Sequence, residues 1–142
     1  MINKLTAKAS IIISAPTAKV WQALTEPAQI KEYRYGADVV SDWEKGSSIT
    51  YKGAWQGREY EDKATIVDIV PERILHTTYW SAMSGKEDKP ENYANVIYGL
   101  KAEGEGTFVI IAQDNIDSEE QVKQMEQNWG TVLERMKMLL EK

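Results

Sequence analysis

The chain has no cysteine and a single histidine among its 142 residues. Without thiols there is no disulfide framework and no thiolate metal site, and one imidazole cannot build a multi-histidine centre. Phenylalanine is nearly missing as well: one Phe stands beside seven Tyr and five Trp. Basic residues are outnumbered, 17 against 22 acidic, for a formal charge of −5. A nucleic-acid module would show a basic patch instead. Long apolar runs are lacking. Ile11-Ile12-Ile13 is too short for the core of a signal peptide or for a membrane span. No Asn-x-Ser/Thr site, lipidation signal, repeat or low-complexity tract occurs. These absences make a cytoplasmic protein without membrane attachment the expectation.

What is present is a length that suits one domain, residues 1–142, burying roughly 70% of the surface exposed by the unfolded chain. The aromatic residues carry a message. Twelve of the thirteen bear a polar handle. A core that needs only filling can use Phe, whereas buried Tyr and Trp ask for a hydrogen-bond partner. The skew hints at a lined cavity.

Residues 4–14 read as a strand stopped by Pro16. Residues 17–25 read as a short helix, with Val20, Ala23 and Leu24 at helical spacing, and residues 28–33 as a second one ended by Gly36. Six strands follow, over 37–43, 48–55, 58–70, 73–80, 93–101 and 107–113. Gln56-Gly57 and Glu103-Gly104-Glu105-Gly106 form hairpin turns. Residues 118–141 form a long amphipathic helix, with Val122, Met125, Trp129, Val132, Leu133, Met136, Leu139 and Leu140 three or four apart. Ser118 with Gln121 fits a capping box. Gly130, beside Trp129, would let another element approach closely. Strands joined by turns favour an antiparallel meander with one face to cover, and only the long helix is large enough to cover it.

This order resembles the helix-grip fold of the START/Bet v 1-like (SRPBCC) superfamily. Ala15-Pro16-Thr17-Ala18-Lys19-Val20-Trp21-Gln22-Ala23-Leu24-Thr25 resembles its AP-x-x-x-VW-x-ALT opening. Pro71-Glu72-Arg73-Ile74-Leu75 resembles its P-x-R-L entry into a strand, and Asn128-Trp129-Gly130 with Leu133 its closing helix. Ser41-Asp42-Trp43-Glu44-Lys45-Gly46 and Tyr60-Glu61-Asp62-Lys63 resemble bacterial single-domain members of the branch named for the activator of Hsp90 ATPase, the AHSA1-like proteins. The resemblance implies an α+β fold: a curved antiparallel sheet of about six strands wrapped on a long C-terminal helix, two short helices after the first strand, and a cavity between sheet and helix. Superfamily members bind lipids, hormones or polyketides, and some are cyclases or dehydratases.

Strand parity and helix periodicity nominate the lining of such a cavity. The set is Tyr51, Trp55, His76, Trp80, Tyr98, Met125, Trp129 and Met136, with Tyr35, Trp43 and Met83 at an entrance. A fully packed core would use the same residues. On the fifth strand the alternative set Leu75, Thr77 and Tyr79 fits nearly as well. Inward, His76 would orient a carbonyl or phenol; outward, the favoured reading, it bonds a neighbour or water. The acidic clusters Asp42/Glu44, Glu59/Glu61/Asp62 and Asp114/Asp117 read as solvated. The stretch 114–117 lacks the ligand pattern of a calcium loop, and Gly104-Glu105-Gly106 is no phosphate loop. No Gly-x-Ser-x-Gly elbow occurs. The residues 81–91 are long for a hairpin loop and suit a gate.

The leading expectation is therefore a non-enzymatic binder of a small, partly hydrophobic or aromatic molecule, with no cofactor and no metal, acting as a monomer or weak homodimer. An Hsp90-type co-chaperone or stress-response partner is the alternative. A small cyclase, hydrolase or dehydratase using His76 or a buried acid is the third.

Overall fold

Alternation of apolar and polar residues builds the sheet, and turn chemistry joins it. The computed structural model describes residues 4–34, 36–81 and 85–141. β1 (Leu5–Ile13) leads into α1 (Thr17–Thr25) and α2 (Pro27–Tyr33). Pro16 is the N-cap of α1, and Pro27 opens α2, where a missing N–H costs nothing. Then come β2 (Asp38–Ser41), β3 (Ser48–Trp55), β4 (Arg58–Val70), β5 (Ile74–Tyr79), β6 (Ala94–Glu103) and β7 (Gly106–Ile116). β3 and β4 meet at Gln56-Gly57, both at positive φ (51° and 80°), the hand that matches strand twist.

The strands form one antiparallel sheet in the order β1-β7-β6-β5-β4-β3-β2. It has seven strands rather than about six, because β1 joins the meander beside β7. Register fixes the faces. Leu75, Tyr98 and Ile111 stand opposite one another across β5, β6 and β7, and all three are buried. One residue along, His76, Ile97 and Ala112 share the opposite, outer face. This outer face is unusually apolar, with Ile12, Val70, Ile74 and Ile97 exposed.

α3 (Glu119–Leu140) covers the inner face with Trp129, Val132, Leu133 and Met136. Ser118 Oγ accepts from the Gln121 N–H, and Gln121 Oε1 reaches back to the Asp117 N–H, one residue before the expected capping-box partner.

α3 also does something that periodicity could not reveal. It runs alongside the free edge of β1 in the same direction. The Lys8 N–H donates to Glu126 (3.1 Å), the Ser14 N–H donates to Glu141 (2.7 Å), and Lys137 donates to the Ile12 carbonyl (2.9 Å). Two outward backbone groups of this edge strand, and the N–H of Ser14 just past it, are thus met by helix side chains, and α3 lies along the edge as an obstacle to intermolecular pairing. The other edge, β2, is four residues long, and a short edge is its own protection.

The expectation for Gly130 is corrected. A Cβ there would meet nothing within 4 Å, so no element approaches it closely. Gly106 is the position that admits close approach: a Cβ would lie 2.6 Å from the Ile13 carbonyl oxygen, a backbone atom that cannot step aside. Two substitutions should therefore move stability in opposite directions. Gly130→Ala should stabilise by about 0.5–1 kcal/mol through helix propensity, and Gly106→Ala should destabilise by about 1–3 kcal/mol through overpacking. Urea denaturation midpoints measure both; equal shifts would refute the contrast.

Candidate functional site

The inner face gathers its polar groups around one side chain. Arg34 is the C-cap of α2. The preceding Tyr33 is pinned by its hydroxyl, which donates to the Ala23 carbonyl of α1 at 2.8 Å, and so the two short helices fix where Arg34 emerges. Arg34 is half-buried as a residue, but its guanidinium is enclosed. The guanidinium carbon lies 4.3 Å from the ring centre of Tyr51, 5.5 Å from that of Tyr79 and 5.7 Å from that of Trp129. Cation–ring contacts of this kind contribute about 2 kcal/mol or more each when desolvated.

The rings are themselves locked. Tyr51 meets Tyr79 edge to face at 6.1 Å, and Tyr98 meets Trp129 likewise at 5.9 Å. The Trp129 indole N–H donates to Gln113 Oε1 at 2.8 Å. The Tyr79 hydroxyl donates to Asp62 Oδ2 at 2.6 Å and accepts a longer contact from Arg34 Nη2 at 3.5 Å.

Electrostatics follows from burial. Loss of hydration pushes the phenols of Tyr33, Tyr51, Tyr79 and Tyr98 above their ordinary range, while the nearby Arg34 charge pulls each of them partly back. Burial opposes the Arg34 charge, while the surrounding Tyr79, Tyr51, Tyr98 and Tyr33 act the other way and leave its ionisation above the ordinary guanidinium range. At neutral pH the phenols are un-ionised, so the cation meets ring faces and hydroxyl dipoles.

Between these groups and α3 lies a space of about 10 Å3, room for one water molecule. Leu24, Ile30, Leu75 and Val132 close its apolar side, and Tyr33, Arg34, Tyr51, Tyr98 and Trp129 supply the rest. Between sheet and α3, therefore, this conformation holds no cavity of the several hundred Å3 that an open binding pocket needs. Side chains, the Arg34 guanidinium among them, fill the gap between sheet and helix.

Of the residues nominated from sequence, Tyr51, Tyr98 and Trp129 come together here. Met136 is fully buried in the core, and Met125 and Trp43 pack partly buried against it. His76 is corrected. β5 turns Leu75 and Thr77 inward, so His76 lies on the outer face with its Nε2 3.0 Å from Asn95 Oδ1. Trp80 leaves the site too: its indole N–H donates to the Lys86 carbonyl at 3.2 Å and its ring stacks on Tyr93 at 6.5 Å. Tyr35 and Met83 lie outside the described residues, as does the side chain of Trp55, whose backbone pairs with Arg58. Asp62 is also corrected. Grouped with Glu59 and Glu61 it reads as solvated, yet it is 6% exposed and holds the Tyr79 hydroxyl.

Sequence reasoning missed Arg34 altogether. The available signal was Tyr33-Arg34-Tyr35, an arginine flanked by phenols where an apolar helix gives way to Gly36. Among the described residues no cluster of His, Asp or Glu could hold a metal ion. No helix among them is long and apolar enough to cross a membrane.

The buried phenols set an alkaline limit. A phenol whose ionisation is raised by folding contributes stability that is present below the unfolded value, near pH 10, and is lost as pH rises above it. Titration followed by tyrosinate absorbance should show exposed tyrosines ionising first. Tyr33, Tyr51, Tyr79 and Tyr98 should ionise only together with loss of the circular dichroism signal. If all phenols titrated near pH 10 in a folded protein, the enclosure described here would be wrong.

Among curated proteins none matches the chain. Solved structures do. A solution structure of ChR145 from Cytophaga hutchinsonii is 45% identical, with a TM-score of 0.86, and the match covers 99% of this chain and 96% of that one. The crystal structure of MLL2253 from Mesorhizobium loti is 22% identical, with a TM-score of 0.77 and coverage of 96% and 97%. The solution structure of the Aha1 dimer from Colwellia psychrerythraea is 21% identical, with a TM-score of 0.75 and coverage of 96% and 96%. At such low identity the last two show the shared fold alone. The family described as activator of Hsp90 ATPase homolog 1-like protein matches residues 14–141. Nearly the whole chain is thus accounted for, and the protein belongs to the activator of Hsp90 ATPase homolog 1-like family.

Proposed function

We propose that this protein binds a small, partly apolar molecule between its sheet and α3, and that the packed state described above is the ligand-free form. The observation that carries this reading is the convergence of Tyr51, Tyr98 and Trp129 with a cation, in a place where a core that only needed filling would hold aliphatic side chains. Enclosing a guanidinium costs several kcal/mol in lost hydration, which the surrounding rings and hydroxyls have to offset. Apolar residues of similar volume would give a more stable interior. A ligand would take the place of the Arg34 side chain against Tyr98 and Trp129, and the guanidinium would swing to meet it. Family membership supports the reading as well, since the fold places sheet and helix around a shared interior.

A second reading has its own observation. The outer face of the sheet leaves Ile12, Val70, Ile74 and Ile97 exposed, and apolar patches on a surface often mark contact with another protein. The family takes its description from Hsp90 activation, and a co-chaperone would use such a face. Stimulation of an Hsp90 ATPase by saturating protein supports this role, and no stimulation ends it.

Native mass spectrometry of the protein isolated from its own host tests the binding reading. A bound small molecule should be retained by the wild type. It should be largely lost from Val132→Phe, which fills the remaining space next to Trp129 while leaving the fold intact by circular dichroism. Protein that is free of any small molecule, and that binds none from a host extract, would remove the reading.

A further inference from the structure

The hydrogen-bonding groups around the Arg34 guanidinium are one-sided. Tyr33 gives its proton to the Ala23 carbonyl, and Trp129 gives its own to Gln113. Tyr79 gives its proton to Asp62, so it offers Arg34 only an oxygen, and at 3.5 Å a distant one. Tyr51 and Tyr98 stand beside a group that can only donate. Each accepts a hydrogen bond from the guanidinium and so keeps a hydroxyl proton to give. The groups that face the space itself are therefore donors: the Arg34 fork and the Tyr51 and Tyr98 hydroxyls. Its other walls are Leu24, Ile30, Leu75, Val132 and the rings of Tyr33 and Trp129. Asp62 does not line it.

A space with donors at one end and apolar walls at the other selects its occupant by chemistry. Every buried side-chain polar atom among the described residues already has a partner, so an entering molecule must offer better acceptors than the phenol oxygens it displaces. A neutral alcohol or amine does not. A carboxylate does, because it meets a guanidinium through two parallel charge-assisted hydrogen bonds, roughly twice as strong as neutral ones. Its charge would meet the guanidinium directly, whereas Asp62 reaches Arg34 only through the Tyr79 hydroxyl.

We propose that the ligand of this site is an organic anion: a carboxylate on a flat or aliphatic apolar body. Its oxygens lie on the Arg34 fork and the Tyr51 and Tyr98 hydroxyls, and its body lies against Trp129 and Val132. This rests on the reading that the space between sheet and α3 takes a ligand, and it adds the sign of the ligand's charge. Arg34 is rooted at the C-cap of a seven-residue helix rather than in a strand. Its long side chain can draw back to make room while its fork keeps hold of the carboxylate.

The test compares matched pairs of probes on the full chain at neutral pH: benzoate, naphthoate and decanoate, each against its own primary amide. Binding is read from the Trp129 indole N–H resonance and from tryptophan fluorescence. At least one acid should bind about tenfold or more tighter than its amide, the difference expected of a charge-assisted pair against a neutral one. Arg34→Gln should abolish that preference, and Arg34→Lys should keep part of it, since the charge stays and the fork goes. Acids and amides that bind equally well at Trp129 would overturn the anion assignment and leave the binding reading standing. A panel in which neither acids nor amides perturb Trp129 would overturn both. Should Arg34→Gln fail to fold, the acid-to-amide ratio on the wild type alone still decides the matter.

Discussion

The Arg34 guanidinium is enclosed by rings, and the faces of Tyr51, Tyr79 and Trp129 stand in for much of its water. That substitution organises much of the interior. The rings must keep their faces toward the cation, and each is held by a contact of its own: Tyr79 by Asp62, Trp129 by Gln113, Tyr51 by the edge of Tyr79. These anchors come from four strands and the long helix, so the position of one charge ties together elements distant in sequence. It also explains the composition. Phe has ring faces but no hydroxyl to turn toward a cation or a carboxylate, and the interior around Arg34 uses Tyr and Trp instead.

The fold was largely legible. Period-two and period-3.6 patterns located the strands and helices, and the order of elements pointed to a sheet gripping a helix. Element ends differ by one to three residues, the most at β7, which runs on to Ile116. Parity named both possible faces of β5 but could not choose between them. The choice is made by pairing with β4 and β6, which places Leu75 and Thr77 inward and leaves His76 outside. A single strand does not contain that information.

The site was legible only in part. Tyr51, Tyr98 and Trp129 follow from periodicity because their neighbours in the strand or helix are the core. Arg34 does not, since charged residues at helix ends are ordinarily solvated and the flanking phenols are the one local sign that this one is enclosed. Asp62 was hidden for a similar reason. It sits in a charged stretch, Glu59 to Lys63, but β4 alternates there, so that Asp62 turns inward while Glu61 and Lys63 face solvent. Reading the alternation through a charged segment, rather than treating the segment as one solvated unit, would have found it.

The pairing of α3 with the edge of β1 has a consequence for how the molecule is made. Lys8 and Glu126 are 118 positions apart, and Ser14 and Glu141 are 127 apart. During synthesis the first strand is complete long before β7 can pair with one side of it or α3 can shield the other. Contacts this remote slow folding, because the loop they close must be ordered first. Until β7 has emerged, β1 carries Ile11, Ile12 and Ile13 with both sides unpaired, and until α3 follows one side stays open to a partner in another molecule.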